Sequence, residues 1–195
     1  MDITTLDAYN KHAATFAKDW DEQPEPTDLR AVVRRYFRHG LTADVGCGSG
    51  RDTAWLSENG YPAIGFDPSK GLLKEARQRY PEVRFQHAAL PDLDCATDGS
   101  FVNVLCETVI MHLEAEIIAP SVRKLMALLE TGGTLYLSWR VTESSDRRDE
   151  YGRLYAAFDP SVVVQVLSKA KIILDEQKIS ASSGKTIHRI VVRKV

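Results

Sequence analysis

The sequence predicts an α/β protein in which a doubly wound, largely parallel sheet carries helices on both faces. Short apolar runs typical of buried strands alternate with helical segments, which is the pattern of βαβ units. The first run, residues 41–45, ends in a turn with three glycines, and the next, residues 62–66, ends at Asp67. With 195 residues, 44% of them hydrophobic, the chain is predicted to form one domain, with helices in 1–40 covering a core in 41–195.

The turn after the first strand is the main functional signal. Residues 41–52 read LTADVGCGSGRD, with Gly46, Gly48 and Gly50 directly before a helix that begins near Arg51. Glycine adopts positive φ and allows a ligand to approach the backbone, and the first turn of a helix offers unpaired N–H groups. A loop that holds an anionic group is therefore predicted, although a strand also turns into a helix through glycines without binding anything.

A carboxylate follows at the spacing expected for ribose recognition. Asp67 ends the strand in AIGFDPS, near the offset of about 20 residues at which an acid accepts hydrogen bonds from ribose hydroxyls. The glycine turn and Asp67 together predict a pocket for an adenosine-containing ligand. The spacing Gly46-Cys-Gly48-Ser-Gly50 is one residue shorter than the dinucleotide fingerprint, and no lysine followed by Ser or Thr completes a P-loop.

These motifs resemble those of the class I S-adenosylmethionine-dependent methyltransferases. The stretches DVGCGSGRD, GFDPS, FVNVLCETVIMHL and LLETGGTLYLSWR follow the family's order and cover roughly residues 41–141. The resemblance implies a Rossmann-like, seven-stranded mixed sheet whose last strand is antiparallel. It also implies S-adenosylmethionine as cofactor, S-adenosylhomocysteine as product, and direct in-line transfer to a small-molecule acceptor. A nucleotide-binding oxidoreductase, a non-catalytic adenosine sensor and an RNA methyltransferase are the alternatives.

The resemblance and the motifs together predict the residues that bind the cofactor. They are Tyr9, Phe16, Asp44, Gly46, Cys47, Gly48, Gly50, Asp52, Asp67, Pro68, Ala89, Leu90, Cys106 and Glu107. Family members usually place an acid after the third strand to bond adenine, and the matching position here is Ala89. Adenine recognition is therefore expected from backbone groups and from packing by Leu90. Glu107 is expected to offset the charge of the sulfonium.

His112 is the candidate catalytic residue, because a side chain with an unperturbed pKa of about 6.5 can accept a proton from a hydroxyl substrate. The alternative is a histidine that only bonds backbone at a turn. Cys106 has an alternative to a role in the site as well, which is that of a small buried hydrophobic residue. The connection in 141–159 follows the fifth strand, where α/β proteins place specificity. The substrate-side candidates there and just before it are Trp139, Arg140, Arg153, Tyr155 and Phe158, each with ordinary packing as its alternative.

The other elements follow from periodicity and from breaker residues. An amphipathic helix is predicted over 6–20, as a packing helix or as a lid that presents Tyr9 and Phe16 to the sulfonium, and the proline-containing stretch 21–27 is predicted as a linker. A helix over 28–39 is predicted to stop at Gly40. Further helices are predicted at 51–59, 69–80, 119–129 and 160–170. Further strands are predicted at 83–87, 101–105, 134–140, 171–177 and 185–193, the last two as a hairpin.

Composition limits the partners and the location. The chain has 25 basic and 27 acidic residues, so its net charge of −2 provides no general attraction to nucleic acid or anionic membranes. It lacks a run of about 18 apolar residues and the N-terminal pattern of a signal peptide. A cytoplasmic protein with a small-molecule substrate, and without membrane or nucleic-acid partners, is therefore expected. Four arginines, Arg34, Arg35, Arg38 and Arg51, are scattered along the chain, which favours a solvated surface over an RNA-binding site. The three cysteines, Cys47, Cys95 and Cys106, suggest neither a disulfide framework nor a metal site.

Overall fold

The computed structural model describes residues 1–142 and 144–195. In chain order, the strands are β1 (Thr42–Val45), β2 (Ala63–Asp67), β3 (Arg84–His87), β4 (Phe101–Cys106), β5 (Leu129–Arg140), β6 (Arg147–Arg148), β7 (Leu154–Tyr155), β8 (Lys171–Ile179) and β9 (Thr186–Arg193). The helices are α1 (Ile3–Lys11), α2 (Ala13–Glu22), α3 (Thr27–Tyr36), α4 (Arg51–Glu58), α5 (Lys70–Arg79), α6 (Ala115–Leu128) and α7 (Ser161–Leu167).

Seven strands form one mixed sheet in the order β3-β2-β1-β4-β5-β9-β8. The first five strands along the chain pair in parallel, and β9 runs antiparallel to both of its neighbours, β5 and β8. This arrangement confirms the predicted fold class, including the antiparallel last strand. The carboxyl ends of β1, β2, β4 and β5 therefore meet at one edge of the sheet.

Helices cover both faces of the sheet because successive residues of a strand point to opposite sides. On β5, Leu135 and Leu137 pack in a core with residues of α6 and α7. Tyr136, between them, packs in a second core with residues of α3 and α4. The two cores are separate layers on either side of the sheet. Among the described residues, no helix is long and apolar enough to cross a membrane.

The N-terminal segment departs from its prediction, since the single helix expected over 6–20 is two helices. The chain bends at His12, and α2 then continues to Glu22, into the predicted linker. The bend lets both helices pack against the start of α5, where Asn10 accepts hydrogen bonds from Ser69 and from the N–H of Gly71. Amphipathic spacing does not distinguish one helix from two, because the apolar face of both points to the same neighbour.

Several other boundaries differ from the predictions. The third helix ends at Tyr36, because buried Phe37 continues in extended conformation, so Gly40 is not its stop. Helix α6 begins at Ala115, earlier than predicted, and β5 follows it directly at Leu129. Gly132 and Gly133 therefore lie within the strand. The connection predicted over 141–159 contains the small hairpin of β6 and β7, and one of its residues, Glu143, lies outside the described residues.

The core between α6 and the sheet provides a test of the fold. Leu125 is fully buried there. Because its truncation would remove apolar contacts and leave a cavity, we expect Leu125→Ala to lower the free energy of unfolding by about 2–5 kcal/mol in chemical denaturation. The exposed Arg123 of the same helix supplies the control, with an expected change for Arg123→Ala within about 0.5 kcal/mol. Equal losses in both variants would contradict the described orientation of α6.

Candidate active site

A cavity of about 260 Å³ opens at the edge of the sheet where the parallel strands end. Twelve of the residues singled out in the sequence line it: Tyr9, Asp44, Gly46, Cys47, Gly48, Asp52, Asp67, Glu107, His112, Arg140, Arg153 and Tyr155. The acids and the glycines come from the carboxyl ends of β1, β2 and β4 and from the start of α4, while β5 and β7 supply groups on the far side. The sheet topology therefore brings most of the predicted site together.

The glycine turn has the backbone geometry that only glycine adopts easily. Gly46, Gly48 and Gly50 all have positive φ. A Cβ atom at Gly46 would lie 2.2 Å from a methyl carbon of Val109, and one at Gly48 would lie 2.9 Å from the ring of Trp20. The turn is thus both left-handed and closely covered. A ligand in the cavity meets its backbone rather than side chains.

Asp67 holds the glycine turn against the start of α5. One carboxyl oxygen accepts a hydrogen bond from the N–H of Gly48 at 2.9 Å, and the other accepts from the N–H of Ser69 at 2.8 Å. Burial raises the pKa of Asp67 to about 6, while the two N–H donors act in the opposite direction. Each oxygen keeps a lone pair, so a further hydroxyl donor can still be accommodated.

Two further acids lie at the same end of the cavity. Asp44, at the end of β1, accepts a hydrogen bond of 2.6 Å from the hydroxyl of Thr53. Burial raises the pKa of Asp44 to about 7. Asp52 is different, because Arg51 forms an ion pair with it at 3.0 Å. The charge of Asp52 is therefore already balanced within the chain.

Glu107 follows the last residue of β4 and is fixed from β5. The hydroxyl of Ser138 donates a hydrogen bond to its Oε2 atom. Burial raises the pKa of Glu107 to about 7, and the Ser138 hydroxyl opposes that rise. The preceding residue, Cys106, is fully buried in the core on the α6 face and does not line the cavity. The alternation of side chains along the strand separates these two neighbours.

His112 is fully engaged within the protein. Its Nδ1 atom contacts the carbonyl oxygen of Leu154, and its Nε2 atom lies 2.9 Å from the hydroxyl of Tyr9. Because a carbonyl oxygen only accepts, Nδ1 carries the proton and Nε2 accepts from Tyr9. Burial lowers the pKa of His112 to about 4. The arrangement matches the alternative of a backbone-binding histidine, and it leaves neither nitrogen for an acceptor molecule.

Two arginines occupy the opposite side of the cavity, around Tyr155. The guanidinium of Arg140 lies 4.9 Å from the centroid of the Tyr155 ring. Arg153 stacks over Phe16 at 4.4 Å and forms an ion pair with Asp149 at 2.6 Å. Within residues 1–142 and 144–195, Arg140 has no ion-pair partner. It is therefore the arginine whose charge is available to a ligand.

The remaining candidates lie outside the lining of this cavity. They are Phe16, Gly50, Pro68, Ala89, Leu90, Cys106, Trp139 and Phe158. Trp139 is buried on the far face of β5, stacked on His188 at 4.4 Å between ring centroids. Pro68 and Leu90 line a second cavity of about 10 Å³ beyond β2, and Ala89 is exposed beside it. Phe16 packs behind Tyr9, at 5.3 Å between ring centroids.

One wall of the cavity, the turn between β8 and β9, is not predicted from the sequence. Ser180, Ser182 and Ser183 line the cavity there, followed by Ile187. Because β9 is antiparallel to β5, its first residues lie beside the end of β5, with Ile187 paired to Arg140. The predicted hairpin of the last two strands indicated this position, because an antiparallel last strand must begin at the edge of the sheet where the parallel strands end. Trp20, which covers Gly48, was also missed.

The fold and the site define a doubly wound α/β protein with a nucleoside-cofactor pocket at its topological switch point. The glycine turn presents its backbone to a ligand, and the buried acids suit a ligand with positive charge. These residues fit S-adenosylmethionine, whose methionine end carries an ammonium and a sulfonium group. Residues 43–133 match the family model described as a methyltransferase domain. Over these residues, which are just under half of its length, the chain is similar to the class I S-adenosylmethionine-dependent methyltransferases.

The curated relatives are methyltransferases of greater length. A trans-aconitate 2-methyltransferase of Rhodopseudomonas palustris is 37% identical over 129 residues, which are 63% of this chain and 47% of that protein. A ubiquinone biosynthesis O-methyltransferase of Methylococcus capsulatus is 29% identical over 151 residues, 70% of this chain and 61% of that protein. The chain spans about half the length of the trans-aconitate methyltransferases that it matches.

Solved structures share the fold at low sequence identity. A 1,6-didemethyltoxoflavin-N1-methyltransferase of Burkholderia thailandensis, solved with 1,6-didemethyltoxoflavin and S-adenosylhomocysteine, superposes with a TM-score of 0.78 at 20% identity, covering 98% of this chain and 88% of that one. An S-adenosylmethionine-dependent methyltransferase of Anabaena variabilis has a TM-score of 0.77 at 17% identity, covering 100% and 96% of the two chains. The whole described chain, including the N-terminal helices, therefore has counterparts of known structure.

The buried Asp44 predicts a pH-dependent stability. Its pKa is raised in the folded state, so the folded protein binds more protons than the unfolded chain at intermediate pH, and stability falls as pH rises from about 4 to 7. We expect Asp44→Asn, which keeps an acceptor for Thr53, to reduce this fall by at least about 1 kcal/mol. Chemical denaturation at a series of pH values measures the free energy of unfolding of both proteins. An unchanged pH dependence in the variant would show that Asp44 is ionised at little cost.

Proposed function

We propose that the protein transfers the methyl group of S-adenosylmethionine to a small molecule that carries an acidic group. The observation that supports this is the distribution of charge in one cavity. The buried carboxyl groups of Asp44 and Asp67 and the half-buried one of Glu107 stand beside the glycine turn, and the guanidinium of Arg140 stands on the other side. A cationic cofactor and an anionic acceptor would each meet opposite charge in the same cavity.

On the cofactor side, each group has a distinct task. The backbone of the turn and the first N–H groups of α4 bind the methionine end. Asp67 accepts hydrogen bonds from the ribose hydroxyls through the lone pairs that Gly48 and Ser69 leave free. Cys47 contributes backbone only, because its side chain packs with Phe85 beneath the turn. When bound, S-adenosylmethionine supplies a methyl group attached to a positively charged sulfur.

On the acceptor side, Arg140 binds the acidic group. Tyr155 holds its guanidinium from one face, which leaves the N–H groups at its edge for a carboxylate or similar anion. Several curated relatives are named for trans-aconitate, an acid, and this supports an acidic acceptor here. In-line transfer then requires alignment of the acceptor and exclusion of water rather than a covalent enzyme intermediate.

The two N-terminal helices serve as the cover of the cavity in this proposal. Asp2 forms an ion pair with Arg148 at 2.8 Å, and Tyr9 donates to His112. Trp20 lies over Gly48 from the second helix. These contacts attach the helices to the hairpin of β6 and β7 on one side and to the glycine turn on the other. Closing them over the ligands excludes water.

Cofactor binding tests the assignment of Asp67. We expect Asp67→Ala to weaken S-adenosylhomocysteine binding by about 1.5–3 kcal/mol, because a charge-assisted pair of hydrogen bonds is lost. Titration calorimetry measures the affinity, and circular dichroism shows whether the variant is folded. An unchanged affinity in a folded variant would refute the ribose assignment. Binding of NAD without binding of S-adenosylhomocysteine by the native protein would instead favour the oxidoreductase alternative.

Transfer of labelled methyl groups tests the acceptor side. With trans-aconitate and other small di- and tricarboxylic acids as probes, we expect Arg140→Gln to lower kcat/KM about 10-fold or more, mainly through KM, because the anchoring charge is lost. Arg147→Gln is the matched control, since Arg147 is exposed in the same connection and does not line the cavity. Equal effects of the two substitutions would contradict an anion site at Arg140.

A further inference from the structure

We infer that Glu107 is a proton-exchanging counter-ion of the methyl donor, ionised while the donor's positive charge is present and protonated once that charge is gone. The inference rests on the proposed function and adds a task for a residue that ribose and acceptor binding leave unused. It concerns the end of β4, where the glycine turn and the acceptor side of the cavity meet.

The carboxyl group is held in place rather than free to turn away. Ser138 donates to Oε2, and the same Ser138 hydroxyl oxygen accepts from the backbone N–H of Thr108 at 3.0 Å. Thr108 has φ +53°, an uncommon conformation for a β-branched residue, so the chain bends sharply directly after Glu107. Both the strand partner and the bend therefore fix the carboxyl group on the cavity wall.

One oxygen of Glu107 is left for a proton or a cation. In the part of the chain that the structure describes, Oε1 accepts no hydrogen bond, whereas Oε2 is used by Ser138. The buried hydroxyl of Tyr136 lies beside the carboxyl group and favours its charged form, and it meets the geometry of a hydrogen bond with no described residue. His112, the other titratable candidate, already uses both ring nitrogens.

The charges around Glu107 make its protonation sensitive to one additional charge. The groups that face it are Tyr136 and Ser138 from β5, Asp52 and Arg51 from α4, and Asp28 from α3. Arg51 is engaged by Asp52, and Glu107 forms no ion pair with any residue that the structure describes. Burial raises the pKa of Glu107 to about 7, and a positive charge placed beside it would lower that pKa again.

The sensitivity of Glu107 to one nearby charge determines where the proton goes during methyl transfer. As the acceptor atom bonds to the methyl carbon, the bond between that carbon and sulfur breaks and its electron pair stays on sulfur. The positive charge beside Glu107 disappears, and an ionised carboxylate buried without a partner is costly. Oε1 therefore takes up a proton, from the acceptor atom if that atom carries one and from solvent otherwise. Glu107 releases the proton when the next donor binds.

Calorimetry with S-adenosylmethionine and S-adenosylhomocysteine tests the inference without an acceptor. The two ligands differ by one methyl group and one positive charge, so the proton exchange caused by the atoms that they share cancels in their difference. In buffers of different ionisation enthalpy near pH 7, we expect S-adenosylmethionine to release more protons than S-adenosylhomocysteine. If its charge lowers the pKa of Glu107 by one unit, its affinity relative to S-adenosylhomocysteine rises about fivefold from pH 6 to pH 8.

Variants assign the effect to Glu107. Glu107→Gln is expected to abolish both the difference in proton release and the pH dependence of relative affinity. Glu116→Gln, at an exposed carboxyl group of α6 that does not line the cavity, is expected to keep both. Ser138→Ala removes the hydrogen bond that favours the charged form, so it is expected to move the midpoint of the pH dependence to higher pH.

Equal proton release by the two ligands in the native protein would overturn the inference, as would a difference that survives in Glu107→Gln. If that variant does not fold, an unmoved midpoint in Ser138→Ala overturns it. Failure of the native protein to bind either ligand would instead reject the proposed function.

Discussion

The carboxylate of Asp67 connects the parts of the molecule on which the site depends. It ends β2, yet its oxygens accept hydrogen bonds from the glycine turn after β1 and from the first turn of α5. Two crossover units are therefore joined at the edge of the sheet where their strands end. A buried carboxylate is stable only when its oxygens have donors, so the turn, the acid and the helix start require each other.

The cavity concentrates unbalanced charge that the rest of the fold avoids. Arg51 and Arg153 are each neutralised by an acid of the chain, Asp52 and Asp149. Among the residues that the structure describes, Asp44 and Glu107 have hydroxyl groups as their only hydrogen-bond partners, and burial raises the pKa of both. Groups that are costly without a partner are typical of sites where a ligand supplies the missing charge. This is the physical basis for placing a cationic donor beside them.

The N-terminal helices belong to the site as well as to the fold. Tyr9 joins α1 to His112, and Trp20 places α2 over the glycine turn. His112 thereby acquires a structural task, because its two nitrogens link the first helix to Leu154 in the β6–β7 hairpin. The connection after β5 and the N-terminal cover consequently form one wall, and movement of one would disturb the other.

The sequence by itself determined the alternation of strands and helices, the glycine turn and the acid of β2, because these depend on local spacing and on backbone conformations that few residues adopt. Tertiary structure alone decided which neighbour faces the cavity, Glu107 rather than Cys106 and Arg140 rather than Trp139. Alternation along a strand separates such neighbours, but which side meets the ligand depends on how the helices and the β8–β9 turn pack at the sheet edge. Those contacts join residues far apart in the chain, so local spacing does not predict them.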